Sequence, residues 1–211
     1  LMVSRYTLME ELKTVSQIAE IELKIGTTAL TLAALSTPEK AREPYQRHLK
    51  KLVVDVKSYV SGHHNSIPLQ LRHEALVQII HQKYGYLGTE DCFNDVDAAN
   101  LMHVIDRRSG LPVAIGIIYL QVAADLGWTA AGVDFPGRFL IRLDTNDGGL
   151  IFDAFEGGRT LNASDLRNML KSISGSNAEL NPTHYRRANT KCVLLRLQNN
   201  IKTRLLNSGH I

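Results

Sequence analysis

Cysteine is almost missing from this 211-residue chain: Cys92 and Cys192 stand a hundred positions apart, with no Cys-x-x-Cys. That spacing excludes a disulfide framework and a zinc ribbon, and it fits a reducing, cytoplasmic setting. Long hydrophobic runs are missing too; none approaches the roughly 18 residues needed to span a bilayer. The first residues lack a basic region, an apolar stretch and a small-residue cleavage site, so neither secretion nor a membrane partner is expected. Charge of one sign is not in excess, since 24 basic and 21 acidic residues leave a formal +3, which sets up no field that demands nucleic acid. What the chain does have is 44% hydrophobic residues, enough at this length to bury about 70% of the surface the unfolded chain exposes.

Apolar residues recur at helical intervals from Met9 to about Leu35, with Val15, Ile18, Ile21 and Ile25 on one side and Gly26 as the expected break. Ser36-Thr37-Pro38-Glu39 reads as a helix start. The helix that follows places Tyr45, Leu49, Leu52, Val53, Val56 and Val60 on one face and Arg47, Lys50, Lys51 and Lys57 on the other. Ser61 to Pro68 is a polar connection, and another helix runs from about Leu71 to Tyr84. Asp95, Asp97 and Asn100 are natural caps for a short helix carrying Leu101 and Ile105, which Arg107-Arg108-Ser109-Gly110 closes. Residues 113 to 127 are apolar or small on nearly every face, the signature of a helix inside a core. Three runs of strand character follow, around 130–135, 138–143 and 150–155. Turn formers separate them at Pro136-Gly137 and Asn146 to Gly149, which predicts an antiparallel hairpin for the second and third. Asn162 to Asp165 caps a further helix, and Tyr185 to Leu206 forms a last one.

The pattern reads as an α+β protein: a helical region over 1–86, a core of buried helix and small antiparallel sheet over 87–183, and a C-terminal helix over 184–211, the three forming one compact unit. Within it, RRSGLPVAIGIIYLQVAADLGW (107–128), GVDFPGRFLIRL (132–143) and FDAFEGGRTL (152–161) resemble the signature blocks of bacterial transglutaminase-like proteins of Sir-B type. The stretches 29–52 and 192–209 resemble the helical preface and the helix opening the tetratricopeptide-like region of that family.

The resemblance implies a papain/transglutaminase-like core, whose active members use a cysteine at the start of the central helix, a histidine on the next strand pair and an aspartate on the strand after it. A helix N-terminus and an adjacent imidazolium depress the thiol pKa, and the carboxylate orients the imidazole. Carried onto this chain, the nucleophile position falls at Pro112, whose neighbours Leu111, Val113 and Ala114 offer neither thiol nor hydroxyl. Ser109 precedes the helix. The histidine position falls on Arg138, a guanidinium that cannot shuttle a proton. Only the aspartate remains, as Asp153. Arg138 and Asp153 are expected either to pair or to serve separately, one solvated and one capping a turn.

The expected function is that of a non-catalytic transglutaminase-like domain, a pseudoenzyme that binds a protein or peptide in a groove lined by Gly110, Pro112, Val113, Ala114, Arg138 and Asp153. The alternative is a degenerate acyltransferase or peptidase that works without the cysteine. No cofactor is expected. Cys92 reads as a structural thiol. Asp91, Asp95, Asp97 and His103, with His63, His64, His73 or His81, could suggest a metal, but the spacing matches no calcium loop and caps explain it better. The basic end of the chain (Arg186, Arg187, Lys191, Arg196, Lys202, Arg204) accompanies an apolar stripe of Val193, Leu194, Leu197, Ile201 and Leu205. It lacks the interleaved aromatics that stack on bases, so nucleic acid is not an expected partner.

Overall fold

A computed structural model describes residues 3–63 and 66–209. Among the described residues the N-terminal half is helical: α1 (Arg5–Val15), α2 (Ile25–Ser36), α3 (Glu43–Tyr59) and α4 (Leu69–Leu76), the last continued by a wider turn of π-helix over Val77–Lys83. The short α5 (Leu101–Arg107) leads into α6 (Pro112–Asp125). The sheet follows, with β1 (Thr129–Phe135), β2 (Arg138–Thr145), β3 (Gly148–Asp153) and β4 (Arg159–Leu161), then α7 (Ala163–Ser174), β5 (Arg187–Ala188) and α8 (Thr190–Asn207). The five strands lie in the order β4-β3-β2-β1-β5, every neighbouring pair antiparallel.

Helix α6 is the centre of the core. Its residues from Val113 to Ala123 are all buried, as the apolar pattern over 113–127 predicts. It approaches the sheet closely because residue 116 is glycine: a Cβ there would stand 2.5 Å from the Phe139 ring. Strand alternation then divides the sheet into two faces. Phe139, Ile141, Leu143 and Phe152 belong to the main core with α6, while Val133, Phe135, Leu140, Ile151 and Leu161 form a second cluster with Leu166 and Leu170 of α7. The main core runs without interruption from Leu8 to Leu197.

Three boundaries differ from the pattern reading. The first break falls between α1 and α2, not at Gly26, which lies in the first turn of α2. There its N–H donates to Gln121 Oε1 at 2.7 Å, and a Cβ would collide with that same side chain; Ile21, in the break, is 95% exposed. The run Ser36 to Glu39 ends a helix instead of starting one. The Thr37 hydroxyl donates back to the Ala33 carbonyl at 3.0 Å, Pro38 stops the helix, and α3 begins at Glu43 with Pro44 in its first turn. The last helix starts at Thr190, capped by Asn189, because Arg187 and Ala188 are taken up by pairing with β1. No helix among the described residues is long and apolar enough to cross a membrane.

Candidate functional site

The turn from β1 into β2 sets Arg138 at the strand's first position, opposite Phe135. Phe135 and Leu140 face α7, so alternation sends the Arg138 side chain to that face as well, while Phe139 points to α6. Asp153 ends β3 on the α7 face, one residue beyond Phe152 of the α6 core. The two meet: Arg138 Nη1 donates to Asp153 Oδ2 at 3.0 Å. The same nitrogen donates to Glu156. Asp153 Oδ1 accepts from the backbone N–H groups of Phe155 (2.9 Å) and Glu156 (3.4 Å), so pairing and turn capping are combined in one carboxylate. Asp153 is 1% exposed and Arg138 36%. Burial, with the Glu156 charge beside it, pushes the Asp153 carboxyl above its ordinary 3.8 despite the guanidinium.

Pro112 occupies the first position of α6, behind Leu111, which offers no side-chain cap. Pro112 is half-buried, whereas Gly110, Val113 and Ala114 are buried. A Cβ on Gly110 would press against Val104 and the Ala98 carbonyl. Among the described residues no hydrogen bond or ion pair joins 110–114 to Arg138 or Asp153. Of the six residues expected to line one groove, Gly110, Val113 and Ala114 are thus packed away and Pro112 is half-buried, and the ion pair sits on the sheet face turned from α6. Cys92 is buried and burial raises its thiol pKa, the reverse of an activated nucleophile.

Of the expected caps before α5, Asn100 caps α5 itself and Asp95 caps the short 3-10 turn Val96–Ala99 that precedes it, while Asp97 contributes its backbone N–H. Asp95 accepts from Asp97 N–H at 2.9 Å and pairs with His103 Nε2 at 3.0 Å, and Asn100 accepts from the N–H groups of Met102 and His103. His73 donates to the Gly158 carbonyl and His81 to that of Tyr86. His64 lies outside the described residues. Among the described residues no three His, Cys, Asp or Glu side chains are grouped to hold a metal ion. The basic end of the chain is less solvated than its periodicity implies: Arg196 pairs with Asp134 and lies over the Phe139 ring, and Arg204 donates to the Phe93 and Asp95 carbonyls at 3.3 Å.

One polar cluster has no counterpart in the sequence reading. Arg108 closes α5 in the left-handed region (φ 60°), the only non-glycine residue there among those described; such a backbone costs about 1–2 kcal/mol for a side-chain-bearing residue. Its Nη1 donates to His48 Nε2 at 2.8 Å and to the buried Tyr86 hydroxyl, which itself lies 2.8 Å from that imidazole nitrogen. Two donors aimed at Nε2 require a neutral ring with its proton on Nδ1. Burial first, then the Arg108 charge, depress the His48 pKa to about 4. The sequence signal was present in Arg107-Arg108-Ser109-Gly110, but Gly110 is the natural candidate for a left-handed cap, and only the backbone shows that Arg108 takes that conformation.

A buried helix, entered through a proline and backed by an antiparallel sheet that carries an Arg–Asp pair, is the frame on which the comparisons with known proteins fall. The transglutaminase-like superfamily model matches residues 43–199, and the chain belongs to that superfamily. It is 33% identical over 188 residues to a UPF0162 protein of Xylella fastidiosa strain Temecula1, covering 85% of this chain and 64% of the relative, and 32% identical over 196 residues to one from strain 9a5c, covering 89% and 66%. F-box only protein 21 of Mus musculus is 34% identical over 86 residues, which is 39% of this chain and 13% of that protein. The chain therefore spans just under two thirds of the Xylella relatives. No solved structure matches it.

Proposed function

We propose that this is a non-catalytic transglutaminase-like domain that works in the cytoplasm as a protein-binding module. The observation that carries the reading is the Arg138–Asp153 pair. Where a working site needs an imidazole to take a proton, a permanently charged guanidinium holds the carboxylate. The start of α6 supplies no thiol or hydroxyl to activate. Sir-B type membership and a tetratricopeptide-like continuation fit this reading, since a domain without chemistry of its own would serve to hold or present a partner.

The surface best suited to a partner is the trench bounded by α1, α2 and α8, not the segment around Pro112. It encloses about 740 Å³ between Met9, Leu32, Leu35, Ile201 and Leu205 and continues into a smaller hollow beside Leu12 and Leu195. Met9 and Leu195 are more than half exposed, and exposed apolar patches of this kind mark interaction sites. Arg5, Lys191 and Lys202 line the rim. Apolar floor and basic rim together suit an amphipathic helix with acidic flanks, offered by another protein.

The test has two arms. A transamidation and amide-hydrolysis assay is expected to give no turnover above buffer, and activity abolished by Asp153→Asn would overturn the non-catalytic reading. Affinity capture from a native lysate is expected to lose its specific partner with Leu205→Glu and to keep it with Arg138→Ala; the opposite pattern would return the binding surface to the Arg138 side.

A further inference from the structure

We infer that the cleft between α3 and the end of α5 is a binding site for a small ligand bearing an oxyanion, a phosphate or carboxylate group, with Arg108 as its main contact. The cleft holds about 580 Å³ and is open to solvent; α3 contributes Pro44, Tyr45 and His48 to its walls, and α5 with its cap contributes Ile105, Asp106 and Arg108. That volume is in the range of small-molecule sites, and the lining combines apolar walls with a few convergent polar groups.

The charges around Arg108 are not balanced within the protein. A half-buried guanidinium is normally neutralised by a carboxylate, because an unpaired charge out of water is costly. Arg108 has none: among the described residues it takes part in no ion pair. Its partners are the neutral imidazole of His48 and the hydroxyl of Tyr86, with the faces of the Tyr86 and Tyr84 rings 4.9 and 5.9 Å from its Cζ. The nearest carboxylate of the cleft, Asp106, is held by Lys40 Nζ at 2.9 Å and by the Tyr45 hydroxyl at 3.0 Å. Two cations and one carboxylate therefore face the cleft, leaving one positive charge.

The hydrogen bonds of Arg108 engage Nη1 alone. Nε and Nη2 have no acceptor among the described residues, so the fork of donors that matches an oxyanion is both fixed in place and unused. The left-handed backbone adds a second line of argument. Glycine would meet that turn at no steric cost, so a strained arginine there is explained by what its side chain does. Lys40, at the mouth of the cleft, would give up part of its contact with Asp106 to the incoming anion.

Calorimetric titration of the whole chain with inorganic phosphate, and separately with acetate, at matched ionic strength tests this. Saturable binding is expected for the wild type, weakened about tenfold or more in Arg108→Gly and by a few-fold in Lys40→Ala. Tighter binding of phosphate than of acetate would assign the site to phosphate-bearing ligands, and the reverse order to carboxylates. Arg108→Gly relieves the backbone and is expected to fold, which circular dichroism checks; Lys40 is exposed, so its variant folds in any case and provides an independent arm. Absence of saturable binding for both anions, or binding unchanged in Arg108→Gly and Lys40→Ala, would overturn the inference.

Discussion

Arg138 and Arg108 are both partly buried arginines at the ends of secondary-structure elements, and their surroundings are opposite. Arg138 is saturated with charge: two carboxylates, Asp153 and Glu156, share its Nη1. Arg108 is surrounded by neutral acceptors and aromatic faces, on a left-handed backbone that glycine would adopt without steric cost. The first arrangement completes itself and needs nothing from outside. The second leaves a cation fixed in a cleft. Arg138 is thus tied into the scaffold by its two carboxylates, while the end of α5 has the electrostatic character of a binding site.

The contrast can be broken by mutation, and the largest effect is expected at Asp153. Asp153→Ala removes the partner of Arg138 and leaves the Phe155 and Glu156 N–H groups without their acceptor, a loss of about 2–3 kcal/mol in urea unfolding. Arg108→Gly is expected to stay within about 1 kcal/mol of wild type, since relief of the strained backbone offsets the lost hydrogen bonds. Equal penalties for the two would erase the distinction between scaffold and site.

Arg138→Gln is the next largest. Removing the cation raises the Asp153 carboxyl further above its already elevated value. A carboxyl whose folded pKa lies above the unfolded one contributes stability that is present below the unfolded pKa, 3.8, and lost as pH rises through the folded one. The penalty of Arg138→Gln should therefore be small near about pH 3 and reach about 1–2 kcal/mol at about pH 7, as urea midpoints at the two pH values would show.

His48 sharpens the other side. A base whose pKa falls from 6.5 to about 4 on folding contributes stability present above 6.5 and lost as pH drops through about 4. In Arg108→Gly its pKa should rise toward 6.5 without reaching it, because burial is the larger cause; proton NMR titration of the ring reads this directly. The smallest effect belongs to Lys40→Ala, which should cost at most about 0.5 kcal/mol in stability because its pair with Asp106 is exposed.

Much of the frame was legible in the residues. The buried α6 is legible as a stretch apolar or small on nearly every face, the β2–β3 hairpin as two strand runs around Asn146 to Gly149, and α7 as the cap Asn162 with Asp165, which form a reciprocal capping box. Boundaries failed where one residue type can serve two ends of a helix, as Thr37 does by bonding backward. The block pattern left Arg138 and Asp153 either to pair or to serve separately, and the structure combines pairing and turn capping in Asp153; the burial of Gly110, Val113 and Ala114 was not legible, because a helix start reads the same whether it opens on a groove or packs against Ala98 and Val104. The Arg108 cluster was out of reach: His48, Tyr86 and Arg108 come from three separate segments, and only tertiary packing brings them to one cleft.

Arg138 is closed by its carboxylates and Arg108 is open to an anion. Nitrogen–proton spectra of the arginine Nε–H groups during a phosphate titration test this contrast in one experiment. The Arg108 resonance should move saturably while that of Arg138 stays in place. A shift of Arg138 alone, or equal shifts of both, would contradict the account.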